Sequence, residues 1–301
     1  MKKVAVVALK GGVGKSSIAA GLGLALVASS QKVGFLDIDI TGSNLYSALG
    51  LEKSPKWKLD SVNERVIVPE VNGYWLLSIA SFAGEEYAVL WEKSHESELM
   101  DARNKIAALS LGSTIESLES IRRQIDNILA SSKWRFVKEL LSPEIVTWPE
   151  PLDFLIADLP PSTSNEMFSF FEQVKDLFGV VIVSQPARIS TIGLVRTIDL
   201  LRQKQIPIIG LVENMAMVRC PHCDETIYPF LSKEVDLEEI CRNSKIPFLC
   251  SIPLSNDAKE LKPIFNKLAA CVSEAEPVVL KEVTNLRRLK RRVVKSIGRR
   301  F

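Results

Sequence analysis

Residues 9–17 read LKGGVGKSS, a run whose residue types suit the binding of phosphate groups. Gly11, Gly12 and Gly14, with Val13 between them, let successive backbone N–H groups turn toward phosphate oxygens. Lys15 has the reach to meet the β- and γ-phosphates of a nucleotide, and the Ser16 hydroxyl is spaced to ligate Mg²⁺. Ser16 and Ser17 open a helix, whose positive N-terminal end adds to the attraction. The general motif has glycine where this chain has Leu9, and a second lysine, Lys10, stands at the front of the loop. A plain glycine turn between strand and helix is the alternative reading, but the strand–loop–helix setting that the motif requires is present.

Three carboxylates follow apolar runs. Asp37 and Asp39 lie in DIDITGSN, and Asp158 ends FLIAD before Pro160 and Pro161. Carboxylates at strand ends point into the crevice that holds the loop, and Mg²⁺ takes such oxygens directly or through water. Capping of a following turn is the competing role. Cys220 and Cys223 have the C-x-x-C spacing with which two thiolates grip one soft metal centre, either a cluster iron or zinc. Cys241, Cys250 and Cys271 are scattered, so a four-thiolate site needs a second copy of the chain. His222, between the paired cysteines, reads as a solvated loop residue, because two thiolates from each of two subunits complete a tetrahedron.

The elements that must position these groups are legible as apolar runs. VAVVAL (4–9), VGFLDI (33–38), FLIADL (154–159), VVIV (180–183) and IIGLVEN (208–214) are continuous, as buried parallel strands are. Helix-length segments at 15–29, 165–176, 190–203 and 257–273 alternate with them. This order predicts an α/β fold with a doubly wound, mainly parallel sheet, and the loop at Lys10–Ser17 makes the expected fold that of a P-loop NTPase. Residues 84–146 break the rhythm and read as a strandless helical insertion, with Ile115, Leu118, Ile121, Ile125 and Leu129 at helical spacing. It packs as an extra layer or serves as a partner-binding arm. The expected organisation is one ATP-binding domain over 1–280, carrying the 84–146 insertion and the 212–230 cysteine-pair segment, followed by a basic tail over 281–301.

That tail carries nine Lys/Arg and one Glu, a charge of +8 within a total of +2, which leaves −6 on the rest. Leu286, Leu289, Val293, Ile297 and Phe301 recur at helical steps among its basic residues. A C-terminal basic helix of this kind docks on the acidic body, lies on an anionic membrane surface, or grips nucleic-acid phosphates. No run approaches the roughly 20 apolar residues of a membrane span, and nothing resembles a secretory signal. Five cysteines without a secretory signal predict a reducing, cytoplasmic setting, with peripheral membrane contact through the tail as a further candidate.

The KGGVGKS loop resembles the deviant Walker A loop of the ParA/MinD/Mrp group of ATPases. The resemblance implies that ATP is sandwiched in a homodimer and that Lys10 reaches the partner's nucleotide. Taken together, KGGVGKS, DIDITGSN, DLPPSTSNE, VENM and CPHC look like the Mrp-type iron–sulfur carrier ATPases, over about residues 1–82 and 134–273. This implies ATP hydrolysis by Lys10, Lys15, Asp39 and Asp158, with Asp158 in the Walker B role and Asp39 orienting water. It implies Mg²⁺ at Ser16, Asp37 and Asp158, and adenine read by Asn214. It further implies a [4Fe–4S] cluster, with zinc as the alternative, bridged across the dimer by Cys220 and Cys223 for delivery to recipient iron–sulfur apoproteins. Two segments depart from the family pattern: Ser162, Thr163, Ser164 and Asn165 replace GTGD, and Gly42, Ser43 and Asn44 replace GPS. A MinD/ParA-like switch that attaches to membrane or nucleic acid through the tail is the second reading. A nitrogenase-iron-protein-like electron donor is a third, which the position of CPHC after VENM matches poorly.

Overall fold

A computed structural model describes residues 1–39, 42–60, 65–78, 81, 136–161, 164–220, 222–223, 225–230 and 235–280. The expected helical insertion therefore lies, over 84–135, outside the described residues, as does the basic tail at 281–301.

Along the chain, β1 (Lys2–Val7), α1 (Lys15–Ala28), β2 (Val33–Asp37) and α2 (Leu45–Ala48) come first. Short strands β3 (Lys58–Asp60), β4 (Arg65–Ile67) and β5 (Glu70–Val71) lead to β6 (Tyr74–Ser78). Then follow β7 (Val146–Thr147), β8 (Phe154–Asp158), α3 (Asn165–Gln173), β9 (Leu177–Ser184), α4 (Arg188–Gln203) and β10 (Ile208–Asn214). The C-terminal part holds β11 (Val218–Arg219), β12 (Thr226–Ile227), α5 (Leu237–Ser244), β13 (Phe248–Ile252) and α6 (Ala258–Ser273).

The main sheet has eight strands in the order β13-β10-β9-β1-β8-β2-β6-β5, parallel throughout except for the β5–β6 edge. Both faces are buried, which is why its strands are apolar runs without alternation. Val4 and Val6 point to one core with Ile18, Leu22 and Leu26 of α1 and Leu268 and Val272 of α6. Ala5 and Val7 point to the other, with Phe170 of α3, Leu194 and Ile198 of α4 and Leu237 of α5. Each fully buried Leu or Ile here contributes about 1.5–3 kcal/mol relative to exposure. Helix α1 approaches β2 closely: a Cβ on Gly23 would lie 2.2 Å from the Phe35 ring. That contact sets the start of α1 against the strand that carries Asp37.

The chain crosses from one side of β1 to the other, so β1 is the switch point of the sheet, where ligands of doubly wound folds bind. Of the main sheet's strands, three escape a pattern reading: β5, two residues, β6, five residues, and β13, five residues whose FLCSI is only partly buried. One expectation is corrected. The 84–146 segment is not strandless to its end, because Val146 and Thr147 pair in parallel with Val66 and Ile67 of β4. Two residues are too few to show a strand pattern in sequence.

Candidate functional site

The loop between β1 and α1 turns through Gly12 and Gly14, at φ of +78° and +84°. No atom lies within 4 Å of where a Cβ would stand on Gly11 or Gly12, so the loop faces open space wide enough for phosphate oxygens. Gly14 is constrained differently: a Cβ there would sit 2.2 Å from Asn214 Nδ2. The loop's shape is held from neighbouring strand ends. Gln185 Nε2 donates to the Gly12 carbonyl at 3.2 Å, and Asn214 Nδ2 donates to the Val13 carbonyl at 2.8 Å. Gly14 caps α1 without a side chain, so no side-chain oxygen competes with an anion for the first-turn N–H groups.

Lys15 is buried and forms an ion pair with Asp158 Oδ1. Ser16 also hydrogen-bonds Asp158, while its Oδ2 is buried without a partner. Burial pushes the Asp158 carboxyl up, against the opposing pull of the Lys15 ammonium. An orphaned carboxylate oxygen beside a hydroxyl is a donor set that fits a hard cation such as Mg²⁺. Asp37 stands level with Asp158 across β2 and β8, and Val6 of β1 is level with Asp158 on its other side. The carboxylates therefore meet where the loop begins. Asp39 is nearly buried, accepts from Gly42 N at 3.0 Å, and its charge adds to the upward push on Asp158.

Asp37 is fully buried, and burial first, then the Asp158 charge, push its carboxyl up to about 6. A raised carboxyl binds its proton more tightly in the folded chain than in the unfolded one. The stability this proton confers is thus present below the usual value of 3.8 and is lost as pH rises through about 6. Without nucleotide, wild type should lose about 2 kcal/mol relative to Asp37→Asn between pH 4 and 7. Denaturant melts across that range check this, and a constant gap between the two proteins contradicts it.

Lys10 Nζ lies 3.4 Å from Ser190 Oγ at the start of α4, and a Cβ on Gly193 would lie 3.6 Å from Lys10 Cβ. In the single chain it thus rests on its own helix, at the edge of the phosphate loop.

The cysteine pair sits on a ribbon. Strand β10 ends at Asn214; Met215 follows with φ of +55° and its Sδ accepts from Gln185 Nε2 at 2.8 Å. Strands β11 and β12 then pair antiparallel, Val218 with Ile227 and Arg219 with Thr226. Cys220 N donates to the Glu225 carbonyl at 2.8 Å, closing the tip. The backbone N–H of His222, then that of Cys223, bonds the Cys220 sulfur and holds its thiol below the ordinary range. Cys223 is exposed beside it. The other thiols differ: burial pushes Cys241 up to about 12 and Cys250 up to about 11. Cys220 thus has backbone donors that favour its thiolate, and metal binding requires the thiolate. Among the described residues no three His, Cys, Asp or Glu side chains are arranged to hold a metal ion, so at the ribbon one chain offers the cysteine pair alone.

The structure brings Gly11–Ser17, Asp37, Asp39, Asp158 and Asn214 together at one end of the sheet. The ribbon with Cys220 and Cys223 leaves from that same end, a few residues beyond Asn214. Sequence reasoning missed Gln185, which grips both the loop and Met215; its one signal is a polar residue closing the apolar run VVIVS.

Comparison with known proteins agrees with this geometry. A nucleotide-binding protein from Archaeoglobus fulgidus, solved with ADP, superposes with a TM-score of 0.58 at 24% identity, covering 91% of this chain and 90% of that one. The septum site-determining protein MinD from Pyrococcus horikoshii, solved with Mg-ADP, gives 0.53 at 16% identity, covering 91% and 96%. These likenesses establish the P-loop NTPase fold. In sequence, the chain is 27% identical over 266 residues to the iron-sulfur cluster carrier protein of Pyrococcus horikoshii, covering 86% of this chain and 76% of that one. It is 30% identical over 255 residues to the cytosolic Fe-S cluster assembly factor NUBP2 homolog of Trichoplax adhaerens, covering 83% and 80%. Residues 1–107 and 104–285 match the ParA family model described as NUBPL iron-transfer P-loop NTPase. With its phosphate loop, strand-end carboxylates and cysteine ribbon on one edge of a doubly wound sheet, the chain belongs to the NUBPL iron-transfer P-loop NTPase family.

Proposed function

We propose that this protein is an ATP-dependent carrier of iron–sulfur clusters, working in the cytoplasm as a homodimer that holds one [4Fe–4S] cargo between the Cys220–Cys223 pairs of two chains. The observation that carries the reading is the ribbon tip, where two backbone N–H groups polarise the Cys220 sulfur beside an exposed second thiol. Such N–H···S bonds stabilise a thiolate ligand, and four thiolates from two chains suit a cubane cluster. The names of the relatives, carrier and assembly factor, support the same cargo and setting.

In this reading the loop amides and Lys15 hold the phosphates of ATP. Ser16 and the free oxygen of Asp158 hold Mg²⁺, which neutralises phosphate charge when bound. On nucleotide entry Lys15 exchanges part of its contact with Asp158 for phosphate oxygens. Asp39 orients the attacking water. Asn214 is the link between nucleotide and cargo, because it touches Val13 of the loop and ends the strand that continues into the cysteine ribbon. Transfer is the direct test. Protein loaded with cluster under anaerobic conditions should restore an apo [4Fe–4S] enzyme, and Cys220→Ser should not; equal restoration by both would sink the reading.

Lys10 acts in trans in this scheme, leaving Ser190 for the partner's γ-phosphate as the dimer closes, in the manner of an arginine finger. Lys10→Ala should bind ATP within about twofold of wild type and lose roughly 100-fold or more in turnover. Isothermal titration and a phosphate-release assay separate the two quantities. Loss of binding equal to that of Lys15→Ala would place Lys10 in its own chain's site.

A further inference from the structure

Asp37 accepts from four donors inside the chain. Oδ2 takes the Ser43 hydroxyl at 2.6 Å, the Ser78 hydroxyl at 3.2 Å and the Leu45 N–H at 3.3 Å, while Oδ1 takes the Asp39 N–H at 3.1 Å. Ser43 Oγ and Ser78 Oγ are also 2.8 Å apart, so with Ser43 donating to Asp37 the Ser78 proton is shared between the Asp37 carboxylate and the Ser43 oxygen. A carboxylate offers about four lone-pair directions. Both oxygens of Asp37 have protein donors, three around Oδ2 and one at Oδ1, whereas Asp158 keeps one oxygen without a partner. The two aspartates stand level on neighbouring strands, yet their surroundings divide the work: Asp158 is open to a cation, and Asp37 is engaged in holding backbone.

The backbone it holds is the segment that carries Asp39. The N–H groups of Asp39 and Leu45 and the side chain of Ser43 all converge on Asp37, and Gly42 N in turn bonds Asp39. Ser78 enters from another strand. It ends β6, is level with Asp37 in the β2–β6 register, and is fully buried. Its side chain ties Asp37, at the end of β2, to the neighbouring strand β6.

We propose that Ser78 is a positioning residue for ATP turnover: with Ser43 it fixes Asp37, and through Asp37 it fixes the segment that presents Asp39. This rests on the hydrolytic reading above. Ser78 touches neither phosphate nor metal in this scheme, so its loss leaves nucleotide binding in place and misplaces the water-orienting carboxylate.

Ser78→Ala should lower kcat for ATP roughly tenfold and leave KM within about twofold, the signature of an interaction needed only in the transition state. Ser78→Thr, which keeps the hydroxyl, should recover most of the rate. Ser43→Ala, at a half-buried position, should give the same split, and the double variant should lose less than the product of the two, because both act through one carboxylate. Hydrogen exchange without nucleotide gives a second reading: amides of residues 42–49 should exchange about tenfold faster in Ser78→Ala than in wild type. Wild-type kcat in Ser78→Ala, or parallel loss of rate and ATP affinity that threonine does not recover, overturns the proposal. Should wild type itself show no turnover, the hydrolytic reading fails, and the exchange comparison alone decides Ser78: unchanged rates at 42–49 refute its role.

Discussion

Lys15→Ala is expected to weaken ATP binding at least 100-fold. Lys15 is the one loop cation buried at the base of the phosphate cradle, and its ammonium already carries the ion pair to Asp158. Charge-assisted contacts to phosphate are about twice as strong as neutral ones, and removing one partner of a buried charged contact costs about 3–5 kcal/mol. The loss is compounded by Asp158, whose buried carboxylate would lose its counter-ion and face the phosphates as a like charge. Stability gives the cleanest readout, because a ligand at 100 times its Kd stabilises the folded state by about 2.7 kcal/mol. Mg·ATP should raise the wild-type melting temperature and leave that of Lys15→Ala where it was. A matching rise in both proteins would mean that the loop is not the nucleotide site.

Cys220→Ser and Cys223→Ser should each eliminate the broad visible absorption that a bound cluster gives, with ATP binding intact. Iron of a cluster takes thiolate, and a serine hydroxyl at either position is a poor replacement. In a dimer each substitution removes two ligands of four, so the effect is all-or-none. Cys241→Ser serves as the internal control, since that thiol is buried and pushed up to about 12. Visible absorption that survives either substitution would remove the ribbon from the cargo site; loss of ATP binding along with it would point to a disrupted fold instead.

The parts of this site that were legible in sequence are those whose chemistry is local. Lys10 to Ser17 are contiguous, Cys220 and Cys223 are three residues apart, and Asp37, Asp39 and Asp158 each end or follow an apolar run. Contacts between distant strands were not legible. Ser78 meets Asp37 only through the register of β2 with β6, across 41 residues, and Gln185 meets Gly12 across 173. Strand β6, YWLLS, is a continuous buried run like the other strands of the sheet, and sequence reasoning did not assign it. The direction of the Asp37 shift likewise follows from burial and then from the Asp158 charge, with the Ser43 hydroxyl opposing it, and neither cause of the rise is visible in the string DIDITGSN.

The central claim is that two chains share one cluster, and metal stoichiometry measures it. After anaerobic reconstitution with iron and sulfide, the dimer fraction should contain about four iron and four acid-labile sulfide per two chains, the content of one cubane. One zinc per two chains, with no iron or sulfide retained, would contradict the account and leave a structural thiolate knuckle at Cys220 and Cys223.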